Sequence, residues 1–99
     1  MTNAELSFQR KLQAIADPTR RRILIALKER RANSLGKDTG LCASDIEEHI
    51  SLTQPTISHH MAILTRAELV ETKKLGQWMW YRRNEPAISE LIKALKKSL

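Results

Sequence analysis

His59 and His60 stand side by side in the stretch LTQPTISHHMAIL, Leu52 to Leu64, and they are two of the three histidines in a chain of 99 residues. An imidazole can ligate a metal, move a proton or contact nucleic acid. Successive residues of a helix point about 100° apart, so an adjacent pair diverges and cannot close on one ion or one substrate. With Ile57 as the inward reference, Met61 and Leu64 stay on its side, His60 falls at the edge of that apolar face, and His59 points almost opposite. The outward set is then Pro55, Thr56, Ser58 and His59, with Ala62 farther along. Short side chains let a helix lie deep in a groove while hydroxyl and imidazole reach phosphates or base edges. An ordinary solvated face is the alternative, but such faces usually carry Lys and Glu, and this one bears no charge until Arg66. His60 is read as a structural histidine.

The elements that must hold this helix follow from periodicity and capping. Thr2 and Glu5 have capping-box spacing, and Ala4, Phe8, Leu12 and Ile15 recur at helical intervals, which predicts a first helix to about Ala16. Asp17 ends it and caps a second, with Pro18 in the first turn and Ile23, Leu24, Ala26 and Leu27 facing inward. The segment RANSLGKDTG, residues 31 to 40, has no periodic pattern and is expected to be a surface loop. LCA suits a short strand, and Ser44 with Glu47 again has capping-box spacing, opening a short helix to Ile50. Thr53 can cap the histidine-bearing helix, whose Pro55 lies in the first turn and which continues to about Ala67. Two helices joined by Ser51, Leu52 and Thr53 make a helix-turn-helix unit. Next, LVETKKLGQWMWYRR predicts strand, turn at Lys74 to Gln77 around Gly76, and strand, a wing. Asn84 caps a last helix in which Ile88, Leu91, Ile92, Leu95 and Leu99 recur at three and four residues, with Lys93, Lys96 and Lys97 outward. The expected fold is mainly α with a small β-hairpin wing, a winged helix-turn-helix of about five helices forming one domain over residues 1–99.

Composition narrows the partner. A net charge of +6 in a chain this short points first to polyanions, although many basic proteins bind none. One cysteine, Cys42, excludes an internal disulfide framework; the first ten residues lack a signal peptide's apolar core, and no apolar run approaches membrane-spanning length. A cytoplasmic protein with no membrane association is expected. Scattered histidines, one cysteine and no glycine-rich phosphate loop supply no converging nucleophile, base and orienting group, so no enzyme and no cofactor are expected. Lys73 and Lys74 on the wing, with Arg82 and Arg83 behind them, have the charge and reach for DNA-backbone contacts. Arg20, Arg21 and Arg22 sit in the first turn of their helix, where cations oppose its dipole, so another interaction must compensate. Phosphate contact and a core-edge salt bridge both remain open for them.

The pieces ADPTRRRILIAL, QPTISHHMAIL, AELV and GQWMWYR, in this order and spacing, make the chain resemble the ArsR/SmtB family of winged helix-turn-helix repressors along nearly its whole length. The resemblance implies a bacterial homodimer that binds double-stranded DNA. Its first and last helices would pair the subunits through Phe8, Leu12, Ile88, Leu91, Ile92 and Leu95. Its DNA contacts would fall on Gln54, Thr56, Ser58, His59 and Arg66 of the recognition helix and on Lys73, Lys74 and Gln77 of the wing. By family analogy Met79 and Tyr81 face the core, leaving Trp78 and Trp80 to pack on the first strand or to form a subunit or ligand surface. Arg83 departs from the apolar residue usual there. The family includes metal sensors, one site of which uses two thiolates before the recognition helix. Here GLCASDI keeps Cys42 and puts Ser44 in the second place, while the last helix has no histidine for the other family site. No metal site is therefore expected, and any small-molecule effector is unidentified. A metal- or thiol-responsive repressor of the same family and a general nucleic-acid-binding protein are the alternatives.

Overall fold

The computed structural model describes residues 1–29 and 40–99. Apart from Gly40, the loop expected over residues 31 to 40 lies outside them. The first helix, α1 (Asn3–Ala16), starts as its capping spacing predicts: Glu5 N donates to Thr2 Oγ1 at 3.1 Å, and the two side chains meet at 3.3 Å. Asp17 ends α1 and accepts from Arg20 N at 3.0 Å, starting α2 (Pro18–Glu29), which buries Ile23, Leu24 and Leu27. A strand of two residues, β1 (Leu41–Cys42), leads into α3 (Ala43–His49); α4 (Gln54–Arg66), β2 (Val70–Leu75), β3 (Trp78–Arg83) and α5 (Glu85–Ser98) complete the described chain. These are five helices with a three-stranded antiparallel sheet in the order β1-β3-β2, a winged helix-turn-helix.

The cap of α3 differs from expectation. It is not Ser44 with Glu47 but Cys42, whose backbone N–H and thiol both donate to the Asp45 carboxylate, at 3.1 and 3.2 Å. The strand runs up to Cys42, so the helix begins two residues earlier than the hydroxyl suggests and Asp45 is the carboxylate within reach. The core lies where α2, α3 and α4 meet the sheet: Ile23, Ile46, Ile57, Met61, Leu64 and Leu69 are all essentially sealed from solvent. Phe8, Leu12, Ile15, Ile88 and Leu95 pack against it from α1 and α5 while remaining partly exposed.

A left-handed turn aims the wing. Glu68 has φ +63, Leu69 N donates to Leu64 O at 3.1 Å, and Glu68 N donates to Thr65 O at 2.9 Å, a helix stop that ordinarily favours glycine. Asn84 secures it from the far strand end, its Nδ2 donating to Glu68 O and its N to Leu69 O, each at 2.9 Å. The same Asn84 caps α5 by accepting from Ala87 N. At the far end the turn is tighter than the expected Lys74 to Gln77, because Lys74 and Leu75 both belong to the strand: Leu75 pairs with Trp78 across Gly76 and Gln77, with Gly76 at φ +62. A two-residue hairpin with glycine at positive φ in its first central position matches the twist of the strands it joins.

Register assigns the wing's faces. Val70, Thr72, Lys74, Met79, Tyr81 and Arg83 share one, and Glu71, Lys73, Leu75, Trp78, Trp80 and Arg82 share the other. Tyr81 packs on the core as expected, and burial raises its hydroxyl pKa. Met79 does not reach the core: the wing runs beyond the helices, and Met79 is 41% exposed opposite Lys74. The two tryptophans part company, because Trp80 pairs with Cys42 of β1 and is buried, whereas Trp78 lies past the end of β1 and is exposed.

Candidate nucleic-acid interface

The face of α4 opposite its buried row of Ile57, Met61 and Leu64 presents Gln54, Pro55, Thr56, Ser58, His59 and Ala62 to solvent. Pro55 in the first turn removes no intrahelical hydrogen bond. Thr53 stands at the cap position but does not cap a backbone N–H; its Oγ1 meets Thr56 Oγ1 at 2.9 Å, tying the first turn together at its exposed start. The face carries hydroxyls, one amide and one imidazole and no carboxylate, and its small side chains allow close approach to base edges.

The two histidines diverge. Their ring centroids are 5.7 Å apart at a 57° tilt, with His59 exposed and His60 half-buried. His60 Nδ1 lies 3.2 Å from Arg20 Nη1. A guanidinium only donates, so this contact requires a neutral imidazole with Nδ1 as acceptor. Arg20 also donates to Ala14 O at 2.7 Å and Gln13 O at 3.1 Å, and Arg21 donates to Ile15 O at 2.6 Å. These are carbonyls of the last turn of α1, which lack intrahelical partners and sit at the negative end of the helix dipole. The cost of placing arginines at the start of α2 is thus offset by the end of α1. Within the subunit these carbonyls, rather than a salt bridge, hold Arg20 and Arg21; Arg22 is exposed.

Burial, then the Arg20 charge, lower the pKa of His60, partly opposed by Asp17. Asp17 itself is held low, chiefly by the Arg20 backbone N–H. Because the folded state favours neutral His60, stability is unaffected above the ordinary value of 6.5 and falls as the pH drops through it and the folded chain resists protonation. A His60→Gln variant is expected to flatten the melting-temperature profile below about pH 6.5. An unchanged profile would show that His60 is not the group responsible.

The remaining candidates are dispersed. Lys73, Lys74 and Gln77 are exposed on the wing. Arg66 ends α4, about 18 Å along the axis from Gln54 at 1.5 Å per residue, and does not join the Thr56, Ser58 and His59 cluster. It lines a cleft of about 360 Å³ between α1 and α4 with Arg10, Gln13, Arg20, Ile63 and Ala67. Arg10 shares this cleft, although no sequence spacing relates it to Arg66. Arg82 and Arg83 are less available than their charge suggests: Arg82 pairs with Glu71 at 3.0 Å, and Arg83 donates to Glu85 at 2.6 Å and to Leu24 O at 3.2 Å. That clamp to α2 and α5 accounts for an arginine where an apolar residue is usual. On α5, Ile92 is 53% exposed, whereas Leu91 is 5% exposed and belongs to the subunit's own core.

A helix-turn-helix whose second helix shows a carboxylate-free polar face, flanked by a basic wing, defines the winged helix-turn-helix class of DNA-binding proteins. Residues 17–72, more than half of the chain, match the family model of bacterial regulatory proteins of the arsR family, and the chain belongs to that family. It is 40% identical over 80 residues to the transcriptional repressor SdpR of Bacillus subtilis, covering 81% of this chain and 79% of that protein. It is 46% identical over 55 residues to an arsenical resistance operon repressor of Staphylococcus aureus, covering 56% of this chain and 53% of that one. The fold superposes on a crystal structure of an ArsR family transcriptional regulator with a TM-score of 0.77 at 19% identity, over 99% of this chain and 92% of the other. The protein is a DNA-binding transcriptional regulator, and its family and relatives are regulators rather than enzymes.

Among the described residues, Cys42 is contacted by one carboxylate and one hydroxyl. The thiol is buried, donates to Asp45 and meets Ser44 Oγ at 3.4 Å, a set with one sulfur where soft-metal sites use several. Among the described residues no three His, Cys, Asp or Glu side chains are grouped to hold a metal ion, and no helix is long and apolar enough to cross a membrane.

Proposed function

We propose that two copies of this chain pair through α1 and α5 and repress transcription in the cytoplasm by binding an inverted-repeat operator in duplex DNA. The outward face of α4 carries this reading, because its apolar row is sealed in the core while Gln54, Thr56, Ser58 and His59 are exposed on the side that would meet base edges. Lys73, Lys74 and Gln77 would hold the flanking backbone, with Arg66 at the far end of the helix. Pairing is supported by the exposed Ile92 and the partly covered Phe8, Leu12, Ile88 and Leu95. Leu91 supports the interface from within its own subunit. Recognition helices related by a two-fold axis meet half-sites about 10 bp apart, or a multiple of that. No catalytic step and no cofactor are part of the function.

The experiment compares an operator recovered by selection from random duplexes with unrelated DNA. Ser58→Ala and His59→Ala are each expected to lower the discrimination between them by about 1–3 kcal/mol without changing the melting temperature. Lys73→Ala should weaken both equally and make the salt slope shallower by about one unit. If the two helix variants kept full discrimination, the facing assigned to α4 would be wrong.

The regulator is also proposed to act without a metal effector, since Cys42 has no second thiolate partner. One equivalent of zinc, cadmium or arsenite should leave operator affinity unchanged in an anisotropy titration. Release of the operator by any of them, abolished in Cys42→Ser, would assign the thiol a sensing role.

A further inference from the structure

Trp78 is 54% exposed in a chain that buries its other tryptophan to 6%. Its cross-strand partner Leu75 is 39% exposed, and Met79 beside it is 41% exposed. Leu75 and Trp78 lie on one face of the hairpin and Met79 on the other, so the tip of the wing is apolar on both sides. The fold does not require this: every residue from Glu71 to Met79 is exposed, and the hairpin meets the body at its base, through Val70, Trp80, Tyr81 and Arg83. A Leu75–Trp78 pair helps to hold a hairpin together, but that role accounts neither for Met79 on the opposite face nor for a side chain as large as indole.

The charges around the patch select its partner. Lys73 shares the face of Trp78 and Lys74 shares the face of Met79, while Glu71, the carboxylate on these strands, is already held by Arg82. An apolar edge between two ammonium groups suits a slot with anionic walls. The minor groove of duplex DNA is such a slot, about 6 Å wide. Two strands about 4.8 Å apart bring a hairpin tip to that width, but leucine and indole side chains enter only if the groove opens. Proteins that force it open insert apolar side chains between base steps, unstack them and bend the duplex. We propose that Trp78, with Leu75 and Met79, forms a wedge that enters the minor groove beside the site of α4 and bends the DNA. This rests on the DNA reading of α4 and adds a deformation that α4 does not itself supply. Sites with a flexible TA or CA/TG step under the wing would be preferred, without a hydrogen bond to those bases.

The exposed indole reports on its own fate, because acrylamide reaches Trp78 and not the buried Trp80. Adding a duplex recovered by selection with this protein is expected to shield Trp78 from the quencher. Circularly permuted fragments should show a bend of at least about 20°. Trp78→Ala should straighten the DNA and weaken binding roughly ten-fold, as loss of a stacked side chain does. Its salt slope and melting temperature should not change, and Trp78→Phe should restore most of the bend. Duplex bound without bending, or with Trp78 still open to quencher, would overturn the wedge and leave the reading of α4 standing. Shielding of Trp78 by rising protein concentration without DNA would overturn it in favour of a protein contact, and failure to bind any duplex would overturn both.

Discussion

Gly40→Ala is expected to destabilise the protein by about 3 kcal/mol or more, among the largest effects of a single methyl group. Gly40 has φ +97, and a Cβ there would lie 2.1 Å from the carbonyl oxygen of Tyr81 and 2.7 Å from its carbon. Both atoms are backbone of the central strand, so relief requires β1 to part from β3. Parting would expose Leu41, Cys42 and Trp80 together and disturb the cap of α3, which begins at the next residue. Gly76→Ala is the matched control: its φ is +62, so it bears left-handed strain of about 1–2 kcal/mol, but nothing lies within 4 Å of the added carbon. Urea melting of the two variants checks the argument. Equal losses would mean that the close approach to Tyr81 does not matter.

Ile92→Glu is expected to split the proposed pair and lower operator affinity by roughly 10²- to 10⁴-fold, the factor by which linked half-sites exceed one alone. The side chain is 53% exposed in the subunit, so a carboxylate there leaves the fold intact, whereas Leu91, one position away, is committed to the core. Sedimentation should show a folded monomer with an unchanged helical spectrum. A variant that still sedimented as a dimer and held its operator would move the subunit contact away from α5.

Much of this molecule can be read from local chemistry. Thr2, Asp17 and Asn84 cap their helices through backbone bonds that depend on residues three positions away, and the stripe of Ile57, Met61 and Leu64 follows from helical rotation alone. What escaped depends on contacts distant in sequence. Cys42 replaced Ser44 as a cap because β1 pairs with a strand forty residues later. Arg20 showed no local reason for its place, since its partners are the end of the preceding helix and His60. Alternation correctly divided the wing into faces, yet it could not show where the body stops, and that boundary separates buried Trp80 from exposed Trp78. The candidate site divides likewise: the polar face of α4 is visible in the sequence, while the cleft that Arg10 shares with Arg66 is not.

The single thiol of this chain is buried and bonded to Asp45, which shields it from reagents that attack an accessible thiolate. A cysteine introduced on the surface would therefore be the one that a maleimide dye or spin label finds, with no native residue to remove first. Gln77→Cys at the turn of the wing would place such a label at the tip, and in a two-fold assembly the distance between two labels becomes a ruler across the operator.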